Sequence, residues 1–223
     1  MRRILLFFLW LMASVAVFAQ NDVTKFLGIP VDGSKSEIIR KLKAKGFTTF
    51  IDDVLQGEFN GKDVYLTVGT NNNKVYRIMV SDANYTDETN IKIRFNNLCR
   101  QFQNNKKYYC PMDFALPEDE DISYEMSVNN KRYQAVFYQL PLGMDSVAFI
   151  KEIKTYVKSK YSQDELENAT EEKAQEILSG LSEYAVERLS PRTVWFLIDE
   201  SYGKYKILMY YDNEYNKANG EDL

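Results

Sequence analysis

Histidine is the side chain most often used to move a proton near neutral pH, and this chain of 223 residues has none. Ser–His and Cys–His nucleophile pairs, histidine-ligated zinc and haem, and a histidine proton shuttle are therefore excluded. Carboxylate chemistry stays open, because two acids facing each other across a cleft can hydrolyse a glycoside. The candidates are Asp52 with Asp53 and the run Glu118 to Asp121. Adjacent acids in a turn are far more often solvated surface than a catalytic pair, so no catalytic residue is assigned. Ser201 and Lys204 match S-x-x-K in letters, but they span a hairpin turn and lack the helix start and partner motifs of penicillin-recognising enzymes. Asp212, Glu214 and Asn216 alternate like calcium-loop ligands, yet Lys217 and Leu223 stand where the loop's glycine and last glutamate belong. No metal site and no cofactor is read from the chain.

Cysteine and tyrosine carry the remaining chemistry. The opening MRRILLFFLWLMASVAVFAQND has two arginines, an apolar run too short to span a bilayer, and small residues before Gln20. It reads as a secretory signal peptide over residues 1–19, so the protein is expected to be exported, periplasmic or secreted. No cysteine follows the apolar run to take a lipid anchor, and no later stretch is apolar enough to form a membrane span. Loss of Arg2 and Arg3 leaves 26 basic against 32 acidic side chains, a net of −6, which argues against a nucleic-acid partner. In an oxidising compartment Cys99 and Cys110 are expected to form a disulfide, which over so short a loop would stabilise by about 3 kcal/mol. The late cluster of Trp195, Tyr205, Tyr210 and Tyr211 offers flat apolar bodies, three of them with hydroxyl tips, suited to protein interfaces and sugar faces alike.

The elements that must position these residues follow from spacing. Ser34 and Glu37 are spaced as a capping box for a helix ending near Gly46, with Ile38, Ile39, Leu42 and Phe47 as its apolar stripe. Its lysines read as a solvated face. Asn60–Gly61 predicts a tight turn between VLQGEF and KDVYLTV, and TNNN predicts a second turn before KVYRIMV. Strict alternation in that last strand sets Val75, Arg77 and Met79 on one face and Tyr76, Ile78 and Val80 on the other. Ile91, Phe95, Leu98 and Phe102 predict a helix from Asp87.

Residues 106–121, with two prolines and an acidic run, read as an irregular connection. A boundary there gives 20–110 as helix, meander and helix, and 111–223 as hairpin, helices and hairpin, the two able to form one continuous domain. ISYEMSV and KRYQAVFYQL are expected as a hairpin around Asn129–Asn130. A helix is expected near Asp145 along Val147, Ile150, Ile153 and Val157, and a charged helical stretch from Ser162 to Leu189, interrupted at Asn168-Ala169-Thr170 or Gly180. The final hairpin turns at Ser201 to Gly203, and its strands are apolar on both faces. It must therefore be central in a covered sheet or show one face to a partner. The order predicts an α+β fold, an antiparallel β-sheet with helices packed on one face, with two α/β halves as candidate repeats.

FLGIPVDGSKSEIIRKLKAKGF, FNGKDVYLTV and the closing YYDNEYNKANGEDL resemble uncharacterised exported proteins of Gram-negative gut bacteria. The helix-plus-meander module over residues 26–80 resembles the beta-lactamase-inhibitor-protein-like fold and the related small outer-membrane-assembly lipoprotein domain, whose lipidated cysteine is missing here. The resemblance implies protein binding through a sheet face. The expectation is an exported, non-enzymatic protein with a protein partner. The alternatives are a glycan-binding or glycan-processing protein and a calcium-dependent structural protein.

Overall fold

Two runs of the chain fold by one plan in the computed structural model, which describes residues 22–218. The signal peptide expected over residues 1–19 lies outside them. Each run opens on a capped helix. The Ser34 side chain accepts the Glu37 N–H at 3.3 Å to start α1 (Lys35–Ala44), and Asp87 accepts the Asn90 N–H at 2.8 Å to start α2 (Glu88–Asn104). The Glu37 carboxylate turns toward Lys41, 2.8 Å away, whose cation holds it below the usual glutamate range.

After α1 comes a meander of β3 (Thr48–Ile51), β4 (Val54–Phe59), β5 (Lys62–Asn71) and β6 (Lys74–Asp82). Its last two turns place both central residues at positive φ, +52° and +69° at Asn60–Gly61 and +47° and +61° at Asn72–Asn73. That is the twist a two-residue hairpin needs. After α2 come β7 (Tyr108–Tyr109), β8 (Gln134–Gln139), β9 (Thr193–Ser201) and β10 (Lys204–Asp212). The eight strands form one antiparallel sheet in the order β3-β4-β5-β6-β10-β9-β8-β7. The order is palindromic about the β6–β10 pair: a helix and four strands, then a helix and four strands, joined edge to edge. The position 110/111 falls between β7 and β8, which pair with each other. A hairpin of β1 (Lys25–Phe26) and β2 (Ile29–Pro30) precedes α1.

The second run differs by two insertions. Between β7 and β8 lies α3 (Ile122–Val128); between β8 and β9 lie α4 (Ser146–Lys160), α5 (Gln163–Glu167) and α6 (Glu171–Leu189). The segment ISYEMSV is thus a helix and not the first strand of a hairpin. Asp121 caps it by accepting the Tyr124 N–H at 2.8 Å, and Ile122 and Met126, one turn apart, reach the core. In α4 the buried side is Phe149 and Ile153, while Val147 and Ile150 are exposed. The break after α5 comes at Asn168 to Thr170, and Gly180 continues α6.

One face of the sheet is covered. Ile38 and Leu42 of α1 and Ile91, Phe95, Leu98 and Phe102 of α2 bury against Leu66, Ile78, Ile207 and Phe196. Phe95 meets Phe196 edge-on at 5.1 Å, and Phe102 stacks on Phe137 at 4.6 Å. Gly57 in β4 matters here, since a Cβ on it would stand 2.5 Å from the Phe47 ring. A smaller cluster of Leu140, Phe149 and Leu189 gathers Tyr109 and Tyr138 and ties the α4–α6 arm to the β7–β8 end of the sheet.

Cys99 and Cys110 are free thiols, which corrects the expected disulfide. Cys99 is buried on the inner side of α2, where burial pushes its thiol up to about 12. The Cys110 thiol turns away to donate to the Met112 carbonyl at 2.8 Å.

Candidate functional site

Among the described residues no helix lies over the middle of the other face of the sheet. Its composition follows from strand parity. In β9, Val194, Phe196 and Ile198 are buried, so Trp195 and Leu197 point the opposite way and stay partly exposed. In β10, Tyr205, Ile207, Met209 and Tyr211 are buried, and Leu208 and Tyr210 point out. In β6 the alternation slips. A bulge opposite Gly69–Thr70 takes up Tyr76, so Val75 joins Ile78 and Val80 inside while Arg77 and Met79 stay outside. This corrects the strict alternation expected there.

Register sets these outward residues side by side. Thr67, Met79, Tyr210, Trp195 and Val136 form one row across five strands, through the pairs Thr67–Met79, Met79–Tyr210, Tyr210–Trp195 and Trp195–Val136. Leu208 pairs with Leu197 in the adjacent row. At the far end Phe50 packs against Tyr65, 4.7 Å between ring centres with the planes tilted by 39°.

At the centre the side chains lock one another. Trp195 and Tyr210 stack at 4.1 Å with planes 18° apart. The Arg77 guanidinium lies over the Tyr210 ring at 4.7 Å and near Trp195 at 5.6 Å. Asp212 holds Arg77 with two bonds, 2.6 and 2.7 Å, and accepts the Trp195 indole N–H at 2.9 Å. The Asp212 side chain is only 3% exposed and that of Arg77 25%, so the carboxylate end of the pair is shielded from water. The hydrogen bond to Asp212 raises Arg77 above its ordinary value, and burial raises Tyr210. The result is a flat aromatic and cationic platform whose rotamers are set before anything binds.

The sequence-predicted residues separate cleanly on this basis. Trp195 and Tyr210 belong to the platform. Tyr205 and Tyr211 face the helices at 2% and 4% exposure and are core residues, not surface contacts. The Tyr205 hydroxyl shares a bond with Ser123 at 2.7 Å, and burial raises Tyr211 well above the ordinary phenol value. The signal that separates them is parity, since positions 205, 207, 209 and 211 are all large and apolar. Arg77 and Asp212 lay outside that cluster, because their pairing needs the β6–β10 register.

The carboxylates take structural places. Asp53 pairs with Lys35 at 2.8 Å, and Asp52 sits in the β3–β4 turn. Glu120 binds Lys131 and Tyr133, and Asp121 caps α3. The amide of Asn216 bonds Asp32 and the Val75 carbonyl, and Glu214 bonds Lys217. Among the described residues no group of three or more Cys, Asp or Glu is placed to hold a metal ion.

A polar groove of about 780 Å³ lies elsewhere, between the Asn60–Gly61 turn and α2. Asn84, Asn90, Asn97 and Gln101 line it, and a shielded Arg94–Asp82 pair (2.8 Å) sits in its wall. Comparison with protein-family models, curated proteins and solved structures found no match to this chain.

Proposed function

We propose that this is an exported, non-enzymatic binding protein that engages a protein partner through the open face of its sheet, centred on Trp195 and Tyr210. The observation that carries the reading is the platform itself. Trp, Tyr and Arg are the residues that dominate protein interfaces, above all where they are packed and held in place. Here Asp212 fixes two of the three, so little side-chain freedom is lost on contact. Met79, Leu208, Leu197 and Val136 extend the surface in apolar form. The acids weighed and set aside as a catalytic pair, Asp52 with Asp53 and Glu118 to Asp121, have partners or lie in turns. Export rests on the composition of residues 1–19.

The test is capture by crosslinking with the chain from Gln20 onward, against envelope, secreted and cytosolic fractions, followed by titration of the purified partner. Trp195→Ala and Tyr210→Ala should each weaken binding by about thirtyfold or more, the 2 kcal/mol expected of an interface hot spot. Unchanged circular dichroism would show that the sheet is intact. Undiminished affinity in both variants would remove the platform from the interface, and a partner found only in the cytosolic fraction would contradict export.

A second reading places a neutral glycan in the polar groove, since its carboxamides can donate and accept at once. Asn97→Ala and Gln101→Ala would abolish such binding and leave the platform untouched.

A further inference from the structure

The end strand of the sheet is a surface that the platform does not use. β3 pairs with β4 alone, and its other backbone edge is open among the described residues. All four of its residues, Thr-Thr-Phe-Ile, are exposed. None is charged and none is proline, the two commonest guards on an edge strand. Phe50 is 53% and Ile51 58% exposed, large values for such side chains. The opposite end of the sheet is built differently. β7 has two residues, both half-buried, with the α4–α6 arm packed against its Tyr109.

The flanks of β3 say which strand fits it. Lys43 and Lys45 stand just before it, and Asp52 and Asp53 just after. All four are exposed. Among the described residues Asp53 alone of these makes an ion pair, with Lys35 on the surface. Two copies of this segment laid antiparallel bring the positive end of each beside the negative end of the other. Laid parallel, they bring like charge to like. The segment is therefore complementary to itself about a two-fold axis, as an isologous contact requires.

We infer that β3 pairs antiparallel with β3 of a second copy, joining two eight-stranded sheets into one continuous sheet. The bulge between Thr49 and Ile51 keeps the pairing short, so the dimer forms with rising protein concentration. Phe50 and Tyr65 place the seam beside the open face, so the two platforms of a dimer lie on a single surface and could engage a repeated or two-fold partner.

Sedimentation of the chain from Gln20 onward, over a wide concentration range, tests this. The mass should rise from one chain toward two. Lys43→Glu with Lys45→Glu should hold the protein at one chain, and so should Asp52→Lys with Asp53→Lys. These positions are exposed, so both double variants should keep the wild-type circular dichroism. Mixed together, the two variants have opposite flanks and should restore the two-chain mass. One-chain mass at every concentration would overturn the inference, and so would a dimer indifferent to both reversals. A dimer lost instead in Trp195→Ala would move the contact to the platform. Partner capture is a separate readout, so either proposal can fail without the other.

Discussion

The two halves of the sheet share one plan and differ in what their connections carry. In the first half three tight turns join β3 to β6, and nothing is inserted. In the second half a single tight turn remains, at Tyr202–Gly203, and the other two connections hold α3 and the α4–α6 arm. The first half therefore ends in a bare edge and the second in a covered one. The platform belongs to neither alone. β6 supplies Arg77, while β9 and β10 supply Trp195, Tyr210 and Asp212. A repeated scaffold can thus gain insertions at its outer connections while its central seam keeps one geometry.

The seam is where the comparison breaks most readily. Asp212→Ala removes the acceptor shared by Arg77 and Trp195 and leaves a half-buried guanidinium without its counter-charge. Urea unfolding should show a loss of about 3 kcal/mol, the cost of breaking a buried pair from one side. Hydrogen exchange should quicken on both β6 and β10. A loss confined to β9 and β10 would mean that the halves are stable apart.

Straining one half alone is the next step down. Gly57→Ala sets a methyl group against the Phe47 ring, which lies buried in the first half. The expected loss is about 2 kcal/mol, as for other overpacked cores, with exchange rising first in β4 and β5. An unchanged midpoint would show that Phe47 moves aside freely.

Per group and per pH unit the smallest effect is alkaline, and it falls mostly on the second half and the seam. Burial pushes Cys99 up to about 12 and raises Tyr108 and Tyr211. Their ordinary values are 9.0 for the thiol and 10.0 for the phenols. Above the ordinary value the unfolded chain gives up a proton that the folded chain keeps, so stability falls as pH rises. Each such group costs about 1.4 kcal/mol per pH unit once its unfolded form has ionised. Unfolding midpoints should be flat from about pH 7 to 9 and then drop toward pH 11, beginning with Cys99. A flat profile to pH 11 would mean that these groups reach solvent.

Much of this architecture was legible in local chemistry. Asn60–Gly61, Asn72–Asn73 and the caps at Ser34, Asp87 and Asp145 act within a few residues, and each marks its element where the spacing put it. The antiparallel α+β class followed from element order. What was not legible depends on partners distant in sequence. The bulge at Tyr76 appears only opposite Gly69, and the helical state of ISYEMSV depends on Ile122 and Met126 reaching the core. For seven residues, alternation in a strand and one buried side of a helix read alike. Of the late aromatic cluster, Trp195 and Tyr210 fell to the open face and Tyr205 and Tyr211 to the core. Only their register against β6 brought in Arg77.

The first described residues are held by the last. Thr24 donates to the Asp212 carbonyl, the Asn213 amide donates to the Val31 carbonyl at 2.8 Å, and Arg192 donates to the Asp22 carbonyl at 3.0 Å. Val23, Thr24 and Phe26 of this segment are buried. A chain leaving the ribosome makes residue 24 long before residue 212, so its earliest segment can pack Phe26 on Phe47 and Phe59 but lacks these three anchors until synthesis is almost over. Contacts this far apart in sequence also form slowly. The hold on that segment is therefore completed only after β10 has been made.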